Sequence, residues 1–184
     1  MYRILLVDDE PNVLSALKRV ISTIPAEDLD CEPAQIELFT SVHAALERID
    51  GVSVDLVISD YRMPEMSGVD FLLKVVERQP DVARLILSGY ADFEGLMDAI
   101  NKVQVFRFIS KPWHDFELKS AIVQALATRA LVMENVRLAD LVRSQKANIS
   151  RHEAELLRLE AESPGITRIR RSEDGGILLD EDDF

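Results

Sequence analysis

The chain has 184 residues, of which 47% are apolar and 29% charged, and it carries a formal net charge of −12. That supplies one buried core of ordinary domain size plus an appendage, and the acidic balance argues against a chain built to neutralise nucleic-acid phosphates. No apolar run approaches the roughly 18 residues of a membrane span, no basic-then-apolar leader precedes the first strand, and the single cysteine, Cys31, excludes an internal disulfide, so the cytoplasm is the expected setting.

Taken in order, the first 125 or so residues alternate two kinds of segment. Residues 3–7, with Ile4, Leu5, Leu6 and Val7, form a short continuous apolar run of the kind buried on both faces of a parallel sheet. Pro11 opens a helical pattern whose stripe is Val13, Leu14, Leu17, Val20, Ile21 and Ile24, and Pro25 closes it. A second strand is predicted over 35–39 and a second helix over 42–49. Residues 54–59 form a third strand that runs into Asp60, Pro64 and Gly68 mark a loop, and a helix follows over 69–77. A fourth strand over 84–87 ends at Ser88-Gly89, a helix is predicted over 92–102, and a fifth strand over 106–109 is broken by Lys111-Pro112. The last helix begins near His114 or Asp115.

Five β–α units in succession predict an α/β, flavodoxin-like, doubly wound parallel sheet of strand order 2-1-3-4-5. In that topology the functional site lies at the carboxyl ends of the strands. Those ends carry Asp8, Asp9 and Glu10, then Asp60, then Ser88, then Lys111. Carboxylates gathered at one edge repel one another, so positive charge belongs among them. Hard oxygen donors of this kind suit Mg²⁺, and Lys111 adds a fixed cation. A carboxylate at Asp60 is a competent nucleophile toward a phosphoryl group, a reaction that depends on neutralising charge on the transferring oxygens.

The segments LLVDDE at 5–10, ISDYRMP at 58–64 with Gly68, LSG at 87–89 and Lys111-Pro112 resemble the receiver domains of two-component response regulators, over residues 1 to about 125. The resemblance implies a role for each position. Asp60 is the phosphoacceptor, Asp8 and Asp9 are the acidic pair holding Mg²⁺ together with Asp60, and Arg62 contributes its backbone carbonyl. Ser88 is the hydroxyl switch residue, Lys111 pairs with the phosphate, Phe108 is the switch aromatic, and the Lys111–Pro112 bond is cis. It also implies a sensor histidine kinase as phosphoryl donor and no enzymatic activity beyond the domain's own phosphorylation and dephosphorylation. The stretch FRFISKPW at 106–113 is similar to receivers of HD-type cyclic-dinucleotide phosphodiesterases and some hybrid kinases. Two other phosphate-handling folds fit poorly. A haloacid-dehalogenase-type phosphatase needs a second Asp two positions after its nucleophile, where Asp60 is followed by Arg62 and Asp8 by Glu10; a flavodoxin needs a Ser/Thr/Gly-rich loop after the first strand.

No Gly or Pro interrupts the chain from Asp115 to Pro164, which predicts a helix continuing through 126–162 as an extension of the receiver. Asn135, Leu138, Val142, Gln145, Ile149, His152, Leu156 and Leu159 follow a 3-4 rhythm, the pattern of a parallel homodimeric coiled coil, with a fold-back helix or a docking helix for another protein as alternatives. His152 lacks the surroundings of a phosphoaccepting histidine. Residues 163–184 read as a hairpin-like or disordered acidic tail. The only basic cluster, Arg168, Arg170 and Arg171, is too short for a DNA-binding domain. The expected output is therefore protein–protein interaction or dimerisation by a stand-alone receiver. A phosphorelay intermediate or phosphate sink is the first alternative, and a DNA-binding regulator acting through the tail is the second.

Overall fold

A computed structural model describes residues 1–29, 32–89 and 103–163. In chain order it contains β1 (Tyr2–Val7), α1 (Pro11–Ile21), a 3₁₀ turn (Ala26–Leu29), β2 (Ala34–Phe39), α2 (Val42–Gly51), β3 (Leu56–Asp60), α3 (Gly68–Arg78), β4 (Ala83–Gly89), β5 (Arg107–Lys111) and α4 (Asp115–Glu162). The helix expected over 92–102 and the tail from 164 onward lie outside the described residues.

The five strands form one parallel sheet of order β2-β1-β3-β4-β5, as the alternation of elements predicts. Successive side chains on a strand point to opposite faces, and here both faces are covered. Ile4, Leu6, Ile58, Leu85 and Leu87 pack with Leu14 and Leu17 of α1 and with Leu118, Ile122 and Ala125 of α4. Leu5, Val7, Val57 and Ile86 pack on the other side with Ala45 and Ile49 of α2 and with Phe71, Leu72 and Val75 of α3. Burial on both faces explains why the central strands are continuous apolar runs instead of alternating ones.

Of the boundaries that differ from the sequence reading, three have a clear hydrogen-bonding reason. β3 starts at Leu56, because the N–H of Val54, although that residue is buried, donates to the Gln79 side chain at 2.9 Å and not to a neighbouring strand. β4 and β5 both run further, to Gly89 and Lys111, because Ser88 pairs with Ser110 and Gly89 with Lys111. Two site residues are thereby held in sheet and not in loop. The stripe residue Ile24 lies beyond the end of α1, yet stays buried through the turn that follows.

The chain divides into two units, Met1–Glu134 and Asn135–Phe184. In the first, Leu118, Ala121, Ile122, Ala125 and Leu126 bury the opening turns of α4. Arg129 follows them and pairs with Asp55, whose other oxygen accepts from the backbone N–H of Arg3 at 2.7 Å. In the second unit α4 continues to Glu162, with every described side chain exposed except the half-exposed Glu160. Among the described residues no helix is long and apolar enough to cross a membrane.

Candidate functional site: the carboxyl edge of the sheet

β1 and β3 end side by side, β5 ends one strand further along beyond β4, and their terminal side chains converge. Asp8 follows β1 and is 1% exposed; Asp60 closes β3 and is 7% exposed. The Lys111 Nζ, arriving from β5, lies 2.7 Å from Asp8 Oδ2 and also pairs with Asp60 Oδ1. One ammonium thus bridges two buried carboxylates. The remaining oxygens are held by backbone donors: Asp8 Oδ1 accepts from Glu10 N–H at 2.9 Å, and Asp60 Oδ2 accepts from Arg62 N–H at 3.0 Å.

The electrostatics follow from this count of charges. Burial raises the Asp60 carboxyl above its ordinary value; the hydrogen bond and attraction of Lys111 oppose the shift, and the negative charge of Asp8 adds to it. Burial also works against the charge on Lys111, but the hydrogen bonds and attraction of Asp60 and Asp8 together prevail, so its ammonium is held above the usual lysine value. The lysine faces two acids, whereas Asp60 faces one cation and one acid. That asymmetry leaves Asp60 less settled in its charged form than Lys111.

Behind Asp60 the chain turns back on itself. Gly68 N–H donates to the Tyr61 carbonyl at 2.8 Å, and a Cβ at position 68 would lie 2.0 Å from the carbonyl oxygen of Asp60. Only glycine permits that approach. α3 begins at the same place, capped by Ser67, whose Oγ accepts from Asp70 N–H at 3.1 Å and donates to the Asp70 carboxylate at 2.7 Å.

The other predicted residues fall as follows. Ser88, buried at the end of β4, donates from Oγ to the Gly89 carbonyl at 3.1 Å. Phe108 is half-buried on β5 against the cluster that contains Ile86 and Val103. Lys111–Pro112 is cis. Asp9 is exposed in the bend after β1 and takes no part in the Asp8–Lys111–Asp60 contacts. Accordingly, no three acidic, His or Cys side chains among the described residues gather as a metal cage. Two carboxylates still suit Mg²⁺, which prefers few protein oxygens and keeps several waters. The backbone donors of Glu10 and Arg62 were not legible beforehand, because any residue type supplies an N–H.

The family model for the response regulator receiver domain matches residues 4–123. The chain belongs to the response regulator receiver family. Solved structures share its fold. An uncharacterized protein from Neptuniibacter caesariensis is 42% identical, with a TM-score of 0.65 over 74% of this chain and 95% of that one. The signal receiver domain of an HD domain-containing protein from Pseudomonas fluorescens is 32% identical, with a TM-score of 0.64 over 72% of this chain and 92% of that one. The hydrogenase transcriptional regulatory protein HoxA of Cupriavidus necator is 30% identical over 73% of this chain but only 26% of its own length. The response regulator protein TmoT of Ectopseudomonas mendocina is 28% identical over 84% of this chain and 66% of its own length. The matched part of the chain thus spans about a quarter of HoxA and about two thirds of TmoT.

Proposed function

We propose that this receiver is switched by phosphorylation of Asp60, with a sensor histidine kinase as donor and protein contact as output. The observation that carries the reading is the bridge from Asp8 through Lys111 to Asp60, with Ser88 at the neighbouring strand end. An Asp60 oxygen attacks the phosphorus of a phosphohistidine, the new P–O bond forms as the P–N bond breaks, and the imidazole keeps the bonding pair. Lys111 follows the charge from the carboxylate onto the phosphoryl oxygens, a role its contacts with Asp8 and Asp60 support. The Arg62 N–H orients the carboxylate for attack.

Mg²⁺ would be held by Asp8, Asp60 and the Arg62 backbone carbonyl, with Asp9 beside them, and would supply charge neutralisation to the phosphoryl oxygens. Ser88 and Phe108 carry the switch. A phosphoryl group offers the Ser88 hydroxyl an acceptor that exists in only one of the two states, and such a difference is what shifts a two-state equilibrium. The half-buried Phe108 responds by turning inward. Cytoplasmic placement follows from the kinase partner.

The test is labelling with a small phosphoryl donor such as acetyl phosphate. Wild type is expected to gain one phosphoryl group when Mg²⁺ is present and none when the metal is chelated beforehand. Lys111→Ala should be labelled far more slowly, and Asp60→Asn not at all. Equal labelling of the Asp60→Asn chain would refute the assignment.

A further inference from the structure

The sequence motif that the phosphorylation site leaves unused is the 3-4 stripe along the exposed part of α4. Leu131, Leu138, Val142, Ile149, Leu156 and Leu159 are each 41–68% exposed. Half-exposed side chains of this size offer roughly 90 Å² apiece, on the order of 550 Å² per helix, so two copies together reach the about 1,000 Å² at which specific interfaces begin. Patches of that size on a lone chain mark interaction surfaces.

We infer that this stripe is the seam of a parallel, in-register two-stranded coiled coil formed with a second copy of this chain. The dimer names a partner for the output proposed above and rests on that reading for its signalling role. In heptad terms the a positions are Asn135, Val142, Ile149 and Leu156, and the d positions are Leu138, Gln145, His152 and Leu159. With two parallel copies in register, each residue meets its own counterpart. Asn135 meets Asn135, Gln145 meets Gln145, and the apolar layers meet apolar layers. An antiparallel pair overlapping the same stretch would set Asn135 against Leu159, Gln145 against Ile149 and His152 against Val142. Each buried polar group would then face a side chain that cannot bond to it.

The flanking charges oppose the parallel pair at one place only, where Glu155 of one copy faces Glu160 of the other; the remaining flanking pairs each include an uncharged residue. Solvent screens a rim contact of that kind, and its cost is small beside a mismatched buried amide. Layer matching therefore outweighs rim repulsion and selects the parallel arrangement.

Cysteine cross-linking in the full chain, with Cys31→Ser as background, tests both the partner and its direction. Leu156→Cys is expected to give a disulfide-linked dimer under mild oxidation, and Ala147→Cys, at an outward f position, to give none. Untreated chain should sediment at twice 20.8 kDa. Ile149→Asp should sediment as a monomer yet still accept phosphoryl on Asp60, which separates failure of the seam from failure of the receiver. A monomeric wild type at 100 µM overturns the proposal. So does cross-linking between a Leu138→Cys chain and a Leu156→Cys chain with none between two Leu156→Cys chains, the antiparallel result.

Discussion

α4 carries two apolar stripes that obey the same spacing and meet opposite fates. Leu118, Ile122 and Ala125 step by four and three residues and are at most 1% exposed, and the same register runs on through Arg129 to Val132 and Val136, which are 46% and 49% exposed where the helix leaves the sheet. Leu131, Asn135, Leu138, Val142 and their successors step by the same rhythm, one heptad position earlier, and stay exposed. The stripes overlap between 131 and 136, so the second is a new register and not an overrun of the first. A 3-4 spacing thus predicts that a face is buried in use, but not what buries it. The opening turns of the first stripe have the sheet; the second has no cover among the described residues and takes it, on the proposed reading, from a second copy.

The difference is broken most strongly by truncating each stripe. Ile122→Ala removes a fully buried side chain that packs against the sheet, and should cost about 2–5 kcal/mol of receiver stability in urea denaturation. Ile149→Ala should leave that transition almost unmoved and weaken only self-association. Gly68→Ala, at the phosphorylation edge, forces a methyl group onto the Asp60 carbonyl. It is expected to cost about 1–3 kcal/mol and to slow phosphorylation, as read from the urea midpoint and the labelling rate.

Arginines sharpen the same contrast. Arg129 and Asp55 are 14% and 18% exposed, and removing one partner leaves the other charge half-buried, so Arg129→Met should cost about 1–3 kcal/mol. Arg143, paired with Asp140 on the exposed stretch, should be replaceable without a measurable change in the same experiment.

The smallest effect is a pH dependence confined to the first unit. Because burial raises the Asp60 pKa, the folded chain keeps that proton to a higher pH than the unfolded chain does. The stability it contributes is complete below the ordinary carboxylate range and is lost as pH rises through the raised value. In metal-free buffer Asp60→Asn should flatten the urea midpoint across that window. Mg²⁺ should stabilise wild type more than the variant, in proportion to the logarithm of its concentration once the site is filled. A variant whose pH profile matches wild type would remove Asp60 as the source.

Much of this was legible in the sequence, for identifiable reasons. The sheet order followed from five β–α units and the right-handed crossover rule, and the Asp8, Asp60 and Lys111 convergence followed from their places at strand ends. Strand ends themselves were not legible at 88–89 and 110–111, because pairing between β4 and β5 decides them and Ser, Gly and Lys carry no strand signal. Gly68 stood out as part of a motif, but its reason, a carbonyl packed where a Cβ would be, is visible only in three dimensions. Arg129 gave no local signal at all, since its partner Asp55 lies 74 residues away in sequence.

The most direct test of the account is to find the phosphorylated atom. After treatment with acetyl phosphate and Mg²⁺, borohydride reduction converts an aspartyl phosphate to homoserine, which peptide mass spectrometry locates. The account predicts homoserine at position 60 and nowhere else, lost when Mg²⁺ is chelated beforehand. Homoserine at Asp8 or Asp9, or a phosphoryl group that resists reduction on a Ser or His, would contradict it.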